Sequence, residues 1–264
     1  MHARPVCLVT GAARRIGRVI ALEMAGHGFD IAVHYRNSRA QALEVVAEAA
    51  ALGARCQAFA ADLSQEQGCL DLAAAVVGGL GRLDAVVNNA STFEADAVNS
   101  FSHRSMELHW RANTAPAVLL SKALHEHLRR RGATGCVVNL LDQKLWNPNP
   151  DYFSYTLSKA ALQAATTLLA QAYAPVLRVC GVAPGLTLAS ETMSARQFDA
   201  AQRMNPLQRS STPQDVARAV RFLIESPAIT GASLLVDGGQ HLTGQSRDVL
   251  YLTPDGHAKP KSTP

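Results

Sequence analysis

Tyr155 and Lys159 are the two residues of this chain whose types and spacing most directly suggest chemistry. They lie four residues apart within residues 139–162. On a helix this spacing places both side chains on one face, one turn apart. An ammonium beside a phenol favours the phenolate, so the pair predicts a lowered pKa for Tyr155 and proton transfer near neutral pH. A surface tyrosine and a solvated lysine satisfy the same spacing, so the interpretation depends on the surrounding elements.

Short apolar runs alternate with longer helical stretches along most of the chain. The runs do not alternate with polar residues, which is typical of strands buried on both faces. The predicted strands are 6–10, 31–35, 56–60, 85–88, 136–140, 178–182 and 233–236. The predicted helices lie near 16–26, 39–52, 65–79, 105–130, 152–174 and 213–225. This order predicts an α/β fold whose parallel sheet carries helices on both faces, with residues 1–243 as one domain and 244–264 as a loosely structured tail.

Composition excludes several classes of function. The chain has 48% hydrophobic and 17% charged residues and a net charge of +4, which is globular and compatible with an anionic small ligand. Its basic residues are scattered apart from a run at 129–131, so we expect no nucleic-acid partner. No apolar run reaches membrane-spanning length, and the N-terminus lacks a signal-peptide pattern. Five cysteines without a CxxC pair favour reduced thiols. We therefore expect a cytoplasmic protein that neither binds a membrane nor holds a metal ion.

A glycine-bearing turn follows the first predicted strand. In the segment TGAARRIG, Gly11 and Gly17 would let the backbone approach a pyrophosphate at a helix N-terminus. An ordinary strand–helix loop would look similar. The second predicted strand ends in HYRNS, where a dinucleotide fold specific for NAD carries an acid. Arg36 can instead pair with a 2′-phosphate, and Arg14 adds positive charge, so the segment favours NADP over NAD.

Two further polar segments follow predicted strands. ADLS contains Asp62 and Leu63, and NNAS contains Asn89, Ala90 and Ser91. Ligands of open α/β sheets bind at such strand ends, although a purely structural role suits these residue types equally well.

Taken together, these motifs resemble the short-chain dehydrogenase/reductase superfamily. The TGxxx turn, DL, NNA, YxxxK, PG at Pro184 and Gly185, and VDGG occur in the family's order from residue 6 to about residue 242. The resemblance implies a single-domain, Rossmann-like, doubly wound parallel sheet of seven strands and a nicotinamide cofactor. It also implies Tyr155 as proton donor, Lys159 on the nicotinamide ribose, Asn113 anchoring a water of the proton relay, and a homotetramer.

Two departures from the common family pattern point to its pteridine reductase branch, which includes dihydromonapterin and dihydrofolate reductases. Arg15 replaces the middle glycine of the turn, and Asp142 occupies the serine position thirteen residues before Tyr155. The resemblance implies that Asp142 supports proton delivery to a ring nitrogen. Phe93, shortly after NNAS, would stack on a pterin, unless it only packs its loop. Arg15 would bind cofactor phosphates alone or the pterin edge as well.

The predicted site therefore has three parts. The catalytic residues are Asp142, Tyr155, Lys159 and Asn113. The cofactor residues are Gly11, Arg14, Arg15, Ile16, Tyr35, Arg36, Asn37, Ser38, Asp62, Leu63, Asn89, Ala90, Ser91, Tyr155, Lys159, Pro184, Gly185, Leu186 and Thr187. The substrate residues are Arg15, Ser91, Phe93, Asp142 and Tyr155. Residues 186–205 form the expected substrate loop, and Trp146 is either a pocket wall or a subunit contact.

The predicted function is NADPH-dependent hydride transfer to a pterin, a dihydropterin or dihydrofolate. One alternative is a short-chain reductase of another carbonyl compound. A second alternative, of a different class, is an NADP-binding regulatory protein without turnover.

Overall fold

The computed structural model describes residues 4–190 and 193–253, and its centre is a parallel sheet of seven strands. The strands are β1 (Val6–Val9), β2 (Asp30–Tyr35), β3 (Cys56–Ala60), β4 (Ala85–Asn88), β5 (Gly135–Leu140), β6 (Leu177–Pro184) and β7 (Ser233–Val236). Their order across the sheet is β3-β2-β1-β4-β5-β6-β7, with every neighbouring pair parallel. The predicted fold and all seven predicted strands are confirmed, with ends that differ by at most two residues.

The helices connect these strands in the predicted alternation. They are α1 (Arg15–Gly26), α2 (Arg39–Ala51), α3 (Glu66–Leu80), α4 (His103–His109), α5 (Ala115–Arg131), α6 (Phe153–Tyr173), α7 (Ala195–Arg203), α8 (Pro213–Glu225) and α9 (Val249–Leu252). The sequence did not indicate α7 or α9. The helix α7 lies in the predicted substrate loop, of which residues 191–192 fall outside the described part.

The helix predicted for 105–130 is present as one continuous helical stretch from His103 to Arg131, with a wider turn that the sequence did not indicate. A π-helical turn at Trp110–Thr114 separates α4 from α5, and there the Ala115 N–H donates to the Trp110 carbonyl five residues earlier. Pro116, at the start of α5, has no N–H to donate to the preceding turn. The wider turn accommodates this missing hydrogen bond, as single π turns do within helices.

Two apolar layers hold the helices on the sheet. Alternate strand residues point to opposite faces, so Cys7 and Val9 pack with α1, α2 and α8, whereas Val6 and Leu8 pack with α3, α5 and α6. All four of these side chains are fully buried. Burying a valine or leucine contributes about 1.5–3 kcal/mol, so the two layers fix the strand ends that carry the polar loops.

The segment after Gly244 is packed against the domain as far as Thr253, so the prediction of a loose tail is wrong for this part. The Gln245 N–H donates to Asn147 Oδ1 at 3.1 Å, and Val249 is buried. Residues 245–253 are called the C-terminal strap below. Residues 254–264 lie outside the described part. No helix among the described residues is long and apolar enough to cross a membrane.

Candidate active site

Two adjoining cavities open at the carboxyl ends of the strands. The first, of about 430 Å³, lies over the ends of β1, β2 and β4, and the second, of about 330 Å³, lies beside α6 and the loop after β5. Arg15, Ile16 and Ser91 line both cavities. The first is called the cofactor cavity and the second the substrate cavity. Their position beside the junction of β1 and β4 is where ligands bind in doubly wound sheets.

Glycines shape the floor of the cofactor cavity. Gly11 has φ +62°, and a Cβ added to Gly17 would lie 2.4 Å from the Gly11 carbonyl oxygen. A side chain at Gly17 would therefore displace the turn. The Asn89 side chain donates to the Thr10 carbonyl at 2.9 Å and to the Gly11 carbonyl at 3.3 Å, which fixes the turn against β4.

The cofactor cavity fits a phosphorylated dinucleotide. The structure shows no side-chain cap at the N-terminus of α1, whose first turn carries no acidic residue, so its amides and dipole remain available to an anion. Arg14, Arg15 and Arg36 add three cations to the lining. The other predicted cofactor residues in this lining are Gly11, Ile16, Asp62, Leu63, Asn89, Ala90 and Ser91.

The remaining predicted cofactor residues lie elsewhere. Asn37 borders a shallow hollow beside Arg36 and Asp62. Gly185, Leu186 and Thr187 line the substrate cavity. Four residues are outside the lining of these cavities: Tyr35, Ser38, Pro184 and Lys159. For all of the predicted cofactor residues, inside or outside the lining, the role in cofactor binding stays a prediction.

His34 is a site residue that the sequence interpretation missed. Its Nδ1 accepts from the Gly11 N–H at 3.0 Å, and its Nε2 contacts the Ala61 carbonyl at 3.2 Å. Burial lowers the pKa of His34 to about 4, so the ring is neutral at pH 7, with Nδ1 as acceptor and Nε2–H as donor. It joins the glycine turn to the end of β3. The sequence feature that could have identified His34 is its position in the HYRNS segment at the end of β2.

Tyr155 meets Asp142 in the substrate cavity. The phenol donates to Asp142 Oδ2 at 2.8 Å, while Asp142 Oδ1 accepts from the Lys144 N–H at 2.8 Å. The predicted lowering of the Tyr155 pKa is wrong. Burial, and then the Asp142 carboxylate, raise the pKa of Tyr155 well above its ordinary value. The phenol therefore holds its proton at neutral pH, as a proton donor must.

Lys159 lies one turn along α6, on the same face as predicted, but its ammonium does not bond to the phenol. Its Nζ donates to the Leu140 carbonyl at 2.7 Å and lies 5.7 Å from the centroid of the Tyr155 ring. Burial lowers the pKa of Lys159 to about 8, so the group is mostly cationic at neutral pH. Lys159 thus places a buried positive charge beneath the ring.

Asn113 lies in the π-helical turn, and its side chain connects three segments. Its Oδ1 accepts from Ser91 Oγ at 3.0 Å and from the Thr92 N–H at 2.7 Å. Its Nδ2 donates to Ser158 Oγ at 2.9 Å, and that hydroxyl donates to the Tyr155 carbonyl at 2.7 Å. Asn113 therefore positions both the loop after β4 and the turn of α6 that carries Tyr155. The predicted relay water stays a prediction.

Phe93 provides an aromatic wall of the substrate cavity. Its ring stacks on Tyr152 at 4.1 Å between centroids and meets Tyr155 edge-on at 4.6 Å. The side chain is half exposed, so one part of the ring packs against Tyr152 and Tyr155 and the rest remains open to a ligand. All five predicted substrate residues line this cavity: Arg15, Ser91, Phe93, Asp142 and Tyr155.

The substrate cavity also contains residues that no sequence motif indicated. Gln143 and Lys144 directly follow Asp142, while Gln240 comes after β7 and Asp248 belongs to the C-terminal strap. The strap residues were missed because the segment after Gly244 has a polar composition without helical or strand periodicity. Trp146, by contrast, packs against a small apolar cluster of Ala117, Leu141, Leu162 and Ala183, outside the cavity lining.

Comparison with known proteins identifies the class that this fold and site define. The family model described as enoyl-(acyl carrier protein) reductase matches residues 11–241. The chain belongs to the short-chain dehydrogenase/reductase family, and it is an NAD(P)-dependent oxidoreductase of that family. The motif-based recognition, including its extension to pteridine reductase homologues, is confirmed.

Three individual relatives show what the chain is similar to. Pteridine reductase 1 of Leishmania tarentolae is 32% identical over 283 residues, with 90% of this chain and 97% of the relative covered. The 3-oxoacyl-[acyl-carrier-protein] reductase FabG of Staphylococcus epidermidis is 31% identical over 242 residues, with coverages of 89% and 98%. The crystal structure of FolM Alternative dihydrofolate reductase 1 from Brucella canis, complexed with NADP, aligns with a TM-score of 0.87 and 37% identity, covering 91% of this chain and 95% of that one.

Proposed function

We propose that this protein is an NADPH-dependent reductase that adds hydride to the ring of a pterin, a dihydropterin or dihydrofolate, with Tyr155 as proton donor. The observation that carries the proposal is the 2.8 Å hydrogen bond from Tyr155 to a carboxylate, Asp142, at the position where the common family pattern has a serine. The relatives named for pteridine and dihydrofolate reduction support this choice. The similar identity to a 3-oxoacyl reductase means that sequence identity alone does not select the substrate.

The residues of the substrate cavity suit a flat heteroaromatic ring better than a small carbonyl compound. The open part of Phe93 offers a stacking surface, and the Arg15 guanidinium offers donors to acceptor atoms on a ring edge. The Ser91 hydroxyl, which donates to Asn113 Oδ1, can accept from a donor on that edge. Tyr155 would deliver its proton to a ring nitrogen. NADPH, when bound, supplies the hydride to the adjacent carbon.

A buried cation lies close to the negative charge that proton transfer would leave on Tyr155. Loss of the proton leaves a phenolate on Tyr155 beside the Asp142 carboxylate, and two adjacent negative charges repel. The buried Lys159 ammonium, 5.7 Å from the ring centroid, offsets this charge. Proton transfer therefore depends on Asp142 to orient the phenol and on Lys159 to stabilise the product.

A substrate panel tests the proposed function. With NADPH, the protein should reduce a 7,8-dihydropterin or a quinonoid dihydropterin far faster than a simple ketone or an acyl substrate, measured as kcat/KM by NADPH absorbance. A ketone or acyl compound preferred by a wide margin would support the carbonyl reductase alternative. Tight NADPH binding without any oxidation would support the regulatory alternative.

Arg36 is expected to set the choice between NADPH and NADH. The Arg36→Ala variant should raise the KM for NADPH by roughly 10-fold to 100-fold, because a charge-assisted hydrogen bond to the 2′-phosphate contributes about 1.5–3 kcal/mol. The KM for NADH should change little. The control is Arg39→Ala, which removes a cation from the first turn of α2, outside the cavity linings. An equal loss with both cofactors would assign Arg36 a different role.

Arg15 occupies a backbone position that favours glycine, and we expect that its side chain binds the substrate. Its φ of +53° lies in the left-handed region, which costs a residue with a side chain roughly 1–2 kcal/mol. The free energy of unfolding of the Arg15→Gly variant should therefore lie within about 1 kcal/mol of the wild-type value. Relief of the backbone strain offsets the roughly 0.5–1 kcal/mol entropic cost of glycine. Its KM for the substrate should rise about 10-fold or more.

The Arg15→Ala variant separates the two effects. It removes the guanidinium but keeps a side chain at positive φ, so it should lose substrate affinity and be less stable than Arg15→Gly. Thermal unfolding and steady-state kinetics of both variants provide the measurement. Wild-type kinetics in Arg15→Gly would show that the guanidinium does not bind the substrate.

The homotetramer stays a prediction of the family resemblance, and the cytoplasmic location stays a prediction from the cysteines and the N-terminal sequence. Light scattering tests the former.

A further inference from the structure

The C-terminal strap forms a wall of the substrate cavity that is separate from the cofactor cavity. Arg15, Ile16 and Ser91 line both cavities and so mark the end where the two meet. Asp248, together with Val249 and Leu250 of α9, lines the substrate cavity alone. Gln143 and Lys144 continue this wall from the loop after β5. Part of a substrate that extends away from the cofactor can therefore meet the strap.

This wall presents acceptor atoms that lack matching donors. Asp248 Oδ1 accepts from the Leu250 N–H at 3.1 Å, whereas Asp248 Oδ2 lies 3.9 Å from Lys144 Nζ, beyond hydrogen-bond distance. Gln143 is more than nine-tenths buried, and its Oε1 has no hydrogen-bond partner among the described residues. Buried acceptors without donors destabilise a protein unless a ligand or water satisfies them. Of these two acceptors, Asp248 Oδ2 is the one that a ligand with hydrogen-bond donors can reach.

The Asp248 carboxylate is the more accessible of the two opposite charges in this wall. The Lys144 side chain is only 5% exposed, and its ammonium donates to the Asp151 carbonyl. The Asp248 side chain is 22% exposed, so a ligand reaches the carboxylate more readily than the ammonium. An anionic group placed here would meet a carboxylate in a partly buried setting, where repulsion is weakly screened.

The strap is held in place by a second acid. Asp151 accepts from Arg247 Nε at 2.8 and 3.0 Å with its two oxygens, and from the Asp248 N–H at 2.7 Å. These bonds tie the strap to the loop that precedes α6. The position of Asp248 relative to Tyr155 is therefore fixed by the fold.

We propose that Asp248 is a specificity-determining residue, which favours substrates whose ring carries an uncharged, donor-bearing substituent and disfavours those with an anionic one. This inference rests on the proposed function, because it concerns the substituent of the same ring. The hydroxyls of a short side chain could donate to Asp248 Oδ2. The carboxylates of a dihydrofolate tail could not.

The test compares three substrates of one ring type with NADPH. They are 6-methyl-7,8-dihydropterin, a 7,8-dihydropterin with a trihydroxypropyl side chain, and 7,8-dihydrofolate. The wild type should prefer the hydroxylated compound over dihydrofolate by at least about tenfold in kcat/KM. Asp248→Asn keeps the size and the oxygen that caps α9 but removes the charge. The Asp248→Asn variant should raise the KM for the hydroxylated compound about tenfold and lower the KM for dihydrofolate. The KM for the methyl compound should stay within about twofold of the wild-type value.

Arg247→Gln is the matched control, because it weakens the anchor of the strap but retains the Asp248 carboxylate and the bond from the Asp248 N–H to Asp151. This variant should change kcat/KM for the three substrates by similar factors. That is the pattern expected when a substitution disturbs only the structure of the strap. If Asp248→Asn likewise changes all three equally, or if the wild type prefers dihydrofolate, Asp248 does not determine specificity. Reduction of the methyl compound would then leave the proposed function standing. Failure to reduce any of the three would overturn both proposals.

Discussion

Replacing Tyr155 by phenylalanine should lower kcat by at least about 100-fold while leaving the affinity for NADPH within about twofold. General acid catalysis by a positioned side chain contributes roughly 10²–10⁴-fold. Phenylalanine retains the ring that meets Phe93 edge-on at 4.6 Å, and it removes the hydroxyl that donates to Asp142. Steady-state kinetics with a dihydropterin gives kcat, and fluorescence titration gives the NADPH affinity.

Two variants make this result specific. Tyr173→Phe removes a hydroxyl from the far end of α6, where the ring stacks on His125, and it should keep wild-type kcat. Lys159→Ala should lower kcat and weaken NADPH binding as well, because the family resemblance implies a ribose contact for this lysine. Near wild-type turnover of Tyr155→Phe would show that another group supplies the proton.

Replacing Asp142 by serine should restore the common family arrangement and lower kcat/KM for a dihydropterin roughly 10-fold to 100-fold. A hydrogen bond to a charged group contributes about 1.5–3 kcal/mol, and a serine side chain is too short to keep both bonds that Asp142 makes. A hydroxyl beside Tyr155 suits a carbonyl oxygen, so activity on simple ketones should rise or stay level. The ratio of the two kcat/KM values is the quantity to measure.

The Phe93→Ala variant tests the preference for a pterin over a ketone by removing the side chain that would stack on the pterin ring. Stacking of a base-like ring on an aromatic side chain contributes about 1–3 kcal/mol, so the KM for the dihydropterin should rise about 5-fold to 150-fold. NADPH affinity should not change, since Phe93 lines only the substrate cavity. If Asp142→Ser leaves the pterin-to-ketone ratio unchanged and Phe93→Ala has no effect, the pterin assignment should be dropped, although NAD(P)-dependent reduction would remain.

The strands and most of the helices were predictable because their signals are local. The buried runs of β1 and β4 are continuous in apolar residues, and α8 begins at Pro213 after a threonine cap, as expected from helix-start rules. The π-helical turn before α5 was not predicted, because periodicity alone does not register one missing donor at Pro116. The substrate residues were predictable only through family motifs, since Phe93, Asp142 and Arg15 are distant in sequence.

The electrostatics of the site depend on distances that the sequence does not contain. A spacing of four residues correctly placed Tyr155 and Lys159 on one face of α6. It did not reveal that Lys159 bonds to the Leu140 carbonyl or that Asp142 lies next to the phenol. Burial of the phenol, and then the Asp142 carboxylate, reverse the predicted direction of the Tyr155 pKa shift. The C-terminal strap was missed for a related reason, because Asp151 and Arg247 meet across 96 residues of chain.

A crystal structure of the protein with NADP and a pterin is the most direct test of the central claim. We predict that the pterin ring occupies the substrate cavity, packs face-on against Phe93, and presents a ring nitrogen within hydrogen-bond distance of Tyr155 Oη. Arg15 should contact the polar edge of the ring. A pterin bound outside this cavity, or within it but out of reach of both Phe93 and Tyr155, would contradict the proposed function.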